Sequence, residues 1–147
     1  MQNSPISPQP SAPRPNSLYA WFLASRPKTL TAALIPVLTA TALAYAEGGA
    51  QGKPALLCCL FAAFMQIAAN FINDRFGFRK GSDREDRLGP ERACAQGWIT
   101  PQAMQRGIFV TLLAACATGC GLLPYGGMVL IGLGLACVVF AFLYTTL

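Results

Sequence analysis

Long apolar runs separated by short polar segments set the pattern of this sequence. The first two runs without a charged residue cover residues 30–46 and 54–72, and two more cover residues 107–123 and 128–147. Each is close to the roughly 17–25 residues that a helix needs to cross a bilayer. Pro36 is expected to kink the first of them. The pattern predicts an all-α integral membrane helical bundle with about four transmembrane helices.

Shorter segments flank and separate these runs. Residues 18–25 are apolar and aromatic but too short to span, and Tyr19 and Trp21 suit the headgroup layer of a membrane. They predict an interfacial half-helix that ends before Arg26, and a turn at Arg26-Pro27, because the residue before a proline is pushed out of the helical region. The remaining interruptions are predicted to be a polar hairpin, a short amphipathic stretch and a turn, at residues 47–53, 100–106 and 124–127.

Composition agrees with a membrane location. The 147 residues are 54% hydrophobic and 12% charged and contain no histidine, which is too apolar for an ordinary soluble domain. Five of the six cysteines lie in the apolar segments and none forms a Cys-x-x-Cys pair, so packed thiols are expected rather than disulfides or a zinc site. Residues 1–17 hold five of the eleven prolines and predict a disordered tail before a single helical domain at 18–147.

Charge is concentrated in one segment. Residues 73–92 contain six basic and five acidic side chains, and the one remaining acidic residue is Glu47. Ten of the eleven Lys and Arg residues precede the first span or lie between the second and third spans. The positive-inside rule therefore places the N-terminus and the loop at 73–106 in the cytoplasm, with the protein in the inner membrane. The same rule accounts for the net charge of +5, so nucleic acid is not expected as a partner.

A polar stripe marks the end of the second span. Gln66, Asn70, Asn73 and Asp74 are three or four residues apart, which places them on one face of a helix. Polar groups are costly in lipid, so this face is expected to point into the bundle or a water-filled cavity. The stripe fits either a metal or phosphate site at the mouth of that cavity, or hydrogen bonding between helices.

The loop after the stripe favours the metal or phosphate site. Negative carboxylate oxygens, which suit Mg²⁺, are supplied by Asp74, Asp83 and Asp86. Lys80, Arg87 and Arg92 supply positive groups for diphosphate oxygens. Acids and bases mixed beside a polar intramembrane stripe predict an anionic substrate that binds together with its metal.

At these residues the sequence resembles the UbiA-type intramembrane prenyltransferases. Within that family it is most similar to the 1,4-dihydroxy-2-naphthoate polyprenyltransferase branch of menaquinone biosynthesis. The resemblance covers about residues 21–145. The motifs that carry it are RPKTL at 26–30, QIAANFIND at 66–74, KGSD at 80–83, DRLGPER at 86–92 and QGWIT at 96–100.

The resemblance implies a reaction and a set of residue roles. A polyprenyl group passes from polyprenyl diphosphate to dihydroxynaphthoate with loss of CO₂, giving demethylmenaquinone, and Mg²⁺ is the cofactor. The substrates, with the lipid bilayer, are then the expected partners. The implied roles are catalytic for Asn73 and Asp74, metal-binding for Asn70, Asn73, Asp74 and Asp83, diphosphate-binding for Lys80, Arg87 and Arg92, and acceptor-binding for Arg26 and Lys28.

The sequence departs from the family pattern in two ways. The pattern Asn-Asp-x-x-Asp-x-x-x-Gly-x-Asp expects aspartate where this chain has Gly77, which predicts weakened Mg²⁺ binding. The family also has about twice as many helices and a second Asp-rich motif. The chain is therefore expected to be the N-terminal half of a prenyltransferase and to be inactive alone.

A function of another class stays open beside this one. A small four-helix membrane subunit that binds an anionic ligand or a partner through its basic loop would have the same spans and the same charge pattern. The sequence leaves the oligomeric state and the prenyl chain length open.

Overall fold

The computed structural model describes residues 16–79 and 92–146. These residues form an all-α bundle, as predicted, and no strand occurs among them. The five helices are α1 (Ser17–Ser25), α2 (Pro27–Ala46), α3 (Gly52–Arg79), α4 (Pro101–Gly126) and α5 (Val129–Thr146).

Helix α3 lies at the centre of the bundle and packs against each of the other four helices. Helices α2 to α5 are all long and apolar enough to cross a membrane. No residue of α2 or α5 is buried, so both present apolar side chains outward. Outward apolar faces of this extent require a nonpolar environment, which lipid provides. The prediction of a multi-pass membrane protein is confirmed.

The junction of the first two helices follows the predicted half-helix and turn. Asn16 caps α1, its side-chain oxygen accepting the N–H of Tyr19 at 2.8 Å. Arg26 ends the helix in the left-handed region, at φ 49° and ψ 69°. Pro27 then opens α2, where its fixed φ and missing N–H cost little. The first span therefore begins at Pro27 and not at Leu30.

Two other predicted boundaries are wrong. The second span was predicted to end at Ile72, but α3 continues for two more turns to Arg79. Asp74 and Gly77 in these turns are buried, whereas Phe78 and Arg79 at the end of the helix are exposed. The stretch at 100–106 is continuous with the third span, and α4 begins where the Thr100 hydroxyl accepts the N–H of Ala103 at 3.2 Å.

The connection between α4 and α5 is shorter than predicted. Pro124 lies within α4, and the helix runs on to Gly126. Proline removes one backbone hydrogen bond at this position, and the helix ends two residues later. The chain reverses at Gly127, whose φ of 70° is a conformation that glycine adopts without strain.

The buried core lies at the basic end of the bundle, where α1, the end of α3 and the start of α4 meet residues 93–99. The ring of Trp21 packs edge-on against Phe71, with centroids 5.3 Å apart. Gly107 makes this approach possible, since a Cβ there would lie 2.6 Å from Cζ3 of Trp21. The predicted polar stripe runs into this core.

Candidate functional site

Asp74 binds the segment that returns to the bundle after the charged loop. Its carboxylate is 1% exposed. One oxygen accepts the N–H of Ala93 at 2.8 Å, and the other accepts the N–H of Cys94 at 2.9 Å. Hydrogen bonds to an ionised carboxylate are stronger than neutral ones, particularly away from water. Both oxygens of Asp74 therefore hold residues 92–94 against α3.

Gly77, one turn further along α3, provides room for the side chain of Arg92. A Cβ at position 77 would overlap Nη1 and Cζ of Arg92 and lie 3.0 Å from its Nε. Arg92 is 8% exposed, so its charge is largely withdrawn from water. The space that a carboxylate at 77 would enter is filled by a guanidinium.

Asn70 connects α3 to the junction of α1 and α2. Its Nδ2 donates to the carbonyl of Ser25 at 2.8 Å and to Oγ1 of Thr29 at 2.9 Å. Its Oδ1 is 3.5 Å from Nε2 of Gln66. These bonds flank Arg26 on both sides. The amide of Asn70 thus makes the interhelical hydrogen bonds that were one of the two interpretations of the stripe.

The other predicted site residues lie around these contacts. Asn73 and Arg26 are half-buried, and Lys28 is exposed at the start of α2. Lys80, Asp83 and Arg87 lie outside the described residues. The described chain therefore brings together Asn70, Asp74, Arg92 and Arg26 at one end of the bundle, and these roles stay predictions.

The end of the bundle that holds these residues is strongly cationic. The basic residues there, within the described part of the chain, are Arg26, Lys28, Arg75, Arg79, Arg92 and Arg106. The carboxylate among them is Asp74, which the backbone N–H groups of 93 and 94 already engage. Arg75 donates from Nη2 to Oε1 of Gln105 at 3.0 Å, which joins α3 to α4.

The described residues do not fit a Mg²⁺ ion. Mg²⁺ takes oxygen ligands in near-octahedral geometry and usually needs one or two carboxylates. No group of three acidic, cysteine or histidine ligands occurs among residues 16–79 and 92–146. Both oxygens of Asp74 accept backbone N–H groups, position 77 has no side chain, and the guanidinium of Arg92 lies beside Gly77.

Three features of the site were not predicted from sequence. The backbone N–H groups that bind Asp74 belong to a loop whose path depends on long-range contacts. Thr29, whose hydroxyl oxygen accepts a hydrogen bond from Asn70, belongs to the RPKTL motif at 26–30, but no role was predicted for it. Gly77 was recognised as a departure, but the arginine that fills its place lies fifteen residues further along the chain.

Comparison with known proteins identifies relatives. Residues 33–147 match the UbiA prenyltransferase family. A 1,4-dihydroxy-2-naphthoate octaprenyltransferase of Escherichia coli is 40% identical over 103 residues, which are 70% of this chain and 33% of that protein. The protein of the same name in Haemophilus influenzae is 34% identical over 87% of this chain and 44% of its own length.

A vertebrate protein is also similar. The UbiA prenyltransferase domain-containing protein 1 of Xenopus tropicalis is 32% identical over 68% of this chain and 29% of its own length. No solved structure matches the chain. The chain covers only 29% to 44% of the length of these three relatives. Since the family match covers most of the chain, including α3 and α4, the chain belongs to the UbiA prenyltransferase family.

Proposed function

We propose that this chain takes part in transferring a polyprenyl group from polyprenyl diphosphate to 1,4-dihydroxy-2-naphthoate, with loss of CO₂ and formation of demethylmenaquinone. The observation that carries the proposal is the cationic end of the bundle, where the buried polar face of α3 meets six basic side chains of the described chain. The names of the bacterial relatives supply the acceptor and the prenyl donor.

The bundle matches an amphiphilic donor. A diphosphate group suits the cationic end, where Arg and Lys side chains hydrogen-bond its oxygens. The polyprenyl chain requires an apolar environment, and a cavity of about 420 Å³ lies between α3, α4 and α5. Its lining is almost entirely apolar and includes Phe61, Met65 and Leu122. The bundle therefore offers a cationic end for the diphosphate and an apolar cavity for the polyprenyl chain of the same substrate.

The reaction needs stabilised charge and a dry site. The allylic C–O bond breaks and its electron pair leaves with the diphosphate, whose added charge the guanidinium groups stabilise. A carbon of the electron-rich naphthoate ring then bonds to the allylic cation. The ring carboxylate leaves as CO₂, and its bonding electrons return to the ring. Burial within the helices keeps water from capturing the cation.

Arg26 and Lys28 are proposed to bind the acceptor carboxylate. Both lie at the start of α2, beside the Asn70 contacts that fix the α1–α2 junction. Mg²⁺ as cofactor stays a prediction, because Asp83 lies outside the described residues and the described ones do not fit the ion. No step above depends on it.

The location of the protein follows from charge. We propose the inner membrane, with the cationic end in the cytoplasm. At the opposite end, α2 and α3 are joined by residues 47–51, and Lys53 in the first turn of α3 is the only basic residue there in the described chain. By the positive-inside rule, the end with more Lys and Arg residues faces the cytoplasm.

Binding of farnesyl diphosphate tests the proposal. The full chain in phosphatidylcholine vesicles is titrated with farnesyl diphosphate, farnesol and inorganic pyrophosphate. We expect farnesyl diphosphate to bind at least about tenfold more tightly than either fragment, since each fragment lacks one of the two interactions. Addition of dihydroxynaphthoate, followed by mass spectrometry of the extracted lipids, then tests for a prenylated product.

The same titration separates the competing function. A subunit that only binds anions would take up pyrophosphate as tightly as farnesyl diphosphate, because its site would not recognise the apolar chain. Equal affinities would therefore overturn the prenyl-transfer proposal. The expectation that the chain is inactive alone stays a prediction, and a prenylated product in the extract would contradict it.

A further inference from the structure

The backbone of Arg26 joins α1 to α2 in a conformation that residues with a side chain rarely adopt. Its φ of 49° and ψ of 69° lie in the left-handed region. Such a residue costs free energy and persists only where the surrounding structure requires it. Pro27 adds to the constraint, because the residue before a proline favours an extended backbone. The junction therefore depends on contacts that hold Arg26 in this conformation.

Thr29 supplies these contacts from the first turn of α2. Its backbone N–H and its Oγ1 both donate to the carbonyl of Arg26, each at 2.9 Å. The same Oγ1 accepts a hydrogen bond from Nδ2 of Asn70 at 2.9 Å. The hydroxyl of Thr29 is thus a bridge between the backbone of Arg26 and the polar face of α3.

The amide of Asn70 anchors this bridge to α3. Its Nδ2 donates to the carbonyl of Ser25 at 2.8 Å as well as to Thr29, so both of its N–H groups have acceptors. A carbonyl oxygen can only accept, which fixes the amino group on this side of the amide. Asn70 is 6% exposed, so without the Thr29 hydroxyl one N–H would be left buried and unpaired. One side chain of α3 therefore holds the chain on both sides of Arg26.

Thr31 shows what distinguishes Thr29 from other threonines of α2. Its Oγ1 also donates to the carbonyl three residues earlier, that of Lys28, at 2.6 Å. Thr31 is exposed, and this bond stays within the helix. The local bond is therefore common to both threonines, whereas the bridge to α3 belongs to Thr29.

We infer that Thr29 is a positioning residue: through its hydroxyl, Asn70 holds Arg26 in the left-handed conformation and so fixes where the side chains of Arg26 and Lys28 leave the backbone. The inference rests on the proposed function, which assigns the acceptor carboxylate to these two side chains. A cation stabilises a bound carboxylate only when its backbone holds it at hydrogen-bonding distance. The inference concerns that backbone, whatever other contacts the guanidinium of Arg26 makes within the chain.

The test compares two ligands that differ by one carboxylate. The full chain in phosphatidylcholine vesicles is titrated calorimetrically with 1-hydroxy-2-naphthoate and with 1-naphthol, and the heat measured with protein-free vesicles is subtracted. We expect the wild type to bind the naphthoate at least about tenfold more tightly than the naphthol. Thr29→Val keeps the shape of the side chain and removes the hydroxyl. It should lower naphthoate affinity about fivefold to thirtyfold and change naphthol affinity less than about threefold.

Two further variants separate the hydroxyl from the bulk of the side chain. Thr29→Ser keeps the bridging hydroxyl and should stay within about threefold of the wild type for both ligands. Thr31→Val is the matched control, because it removes the hydroxyl bond within α2 and leaves the bridge to α3 in place. It should also stay within about threefold of the wild type.

A second comparison keeps the inference testable where Thr29→Val loses its helical circular dichroism. Thr29→Cys has the shape of Thr29→Ser, but a thiol is only a weak donor and a weak acceptor. We expect its naphthoate affinity to be at least about fivefold lower than that of Thr29→Ser. Equal affinities of these two variants would overturn the inference.

The remaining outcomes separate this inference from the proposed function. If Thr29→Val keeps the wild-type preference for the naphthoate, the inference fails and the proposed function stands. If Thr29→Val weakens both ligands in parallel, or Thr29→Ser loses as much affinity as Thr29→Val, the hydroxyl has only a general structural role and the inference also fails. If the wild type binds both ligands equally, the inference fails together with the assignment of the acceptor to Arg26 and Lys28. The farnesyl diphosphate titration tests the donor independently of this result.

Discussion

The carboxylate of Asp74 stabilises the structure through two backbone contacts, and its substitution should loosen residues 92–94. In Asp74→Asn, one of the two oxygens becomes an NH₂ group that faces a backbone N–H. Loss of a buried hydrogen bond to a charged group costs about 1.5–3 kcal/mol. We expect Cys94, now 3% exposed, to react at least about tenfold faster with a membrane-impermeant maleimide, measured by mass spectrometry of the labelled peptide.

The control for Asp74→Asn is an exposed polar residue near the start of α4. Gln102→Ala removes a side chain that faces solvent and should leave the labelling rate of Cys94 unchanged. Equal rates in the wild type and Asp74→Asn would show that the two N–H contacts do not hold the segment.

Asn70 has a comparable role at the α1–α2 junction. Asn70→Ala removes two hydrogen bonds and leaves the Ser25 carbonyl without its donor, so we expect the free energy of unfolding to fall by about 1–3 kcal/mol. Unfolding in mixed detergent–SDS micelles, followed by circular dichroism, measures the change. Gln66→Ala is the matched control on the same face, and its single long contact of 3.5 Å predicts a loss below about 0.5 kcal/mol.

At the scale of residues, the sequence predicts which side chains are polar and inward-facing but not which groups they contact. The spacing of Asn70 and Asp74 predicted a polar face, and the cost of polar groups in lipid predicted that it would point inward. Apart from the Thr29 hydroxyl, the partners of these two side chains across the bundle are backbone groups of residues 25, 93 and 94. Backbone groups have no signature in the sequence, because every non-proline residue carries the same N–H and C=O. The exchange of a carboxylate at 77 for the guanidinium of Arg92 is hidden for a related reason: only the fold brings the two positions together.

At the scale of helices, the Trp21–Phe71 contact is one of the interactions that hold α1 to the bundle, beside the burial of Ala20 and Ala24. Gly107→Val should displace Trp21, because a Cβ at 107 would lie 2.6 Å from its ring. Overpacking of this kind typically costs about 1–3 kcal/mol. In a Trp98→Phe background, where Trp21 is the remaining tryptophan, we expect its fluorescence maximum to shift to longer wavelength as the ring leaves Phe71.

Gly132→Val is the matched control for this substitution. Gly132 also lies within an apolar helix, but a Cβ there meets nothing within 4 Å. Its fluorescence should equal that of the Trp98→Phe parent. A shift of the same size in both valine variants would attribute the effect to helix propensity rather than to the Trp21 contact.

The predicted helices were correct in number and type, and the errors lie at their ends. Hydropathy locates the apolar part of a helix, whereas hydrogen bonding determines its full length. Helix α3 continues past Ile72, where Asp74 accepts the N–H groups of Ala93 and Cys94. Helix α4 includes the polar stretch before Gly107 because Thr100 caps it there. Both ends depend on contacts made outside the lipid, which a hydropathy pattern does not record.

At the scale of the whole molecule, the basic residues and the buried core lie at the same end of the bundle. Helices α1, α3 and α4 bury their side chains at the cationic end, while the opposite end is joined by short connections and opens to a cavity of about 500 Å³. The Phe76–Phe142 contact, with centroids 6.4 Å apart, brings the end of α5 to the cationic end as well. The most extensively packed part of the bundle is therefore the part that positions the polar residues.

The orientation of this axis in the membrane is the last prediction. If the cationic end faces the cytoplasm, an impermeant maleimide should label Lys53→Cys in intact spheroplasts and Arg79→Cys only in inverted vesicles. Both positions are exposed and lie at opposite ends of α3, so each serves as the control for the other. The reverse labelling would place the six basic residues outside, against the positive-inside rule. It would also separate the site from a cytoplasmic supply of diphosphate, and would contradict the proposed location together with the proposed substrate.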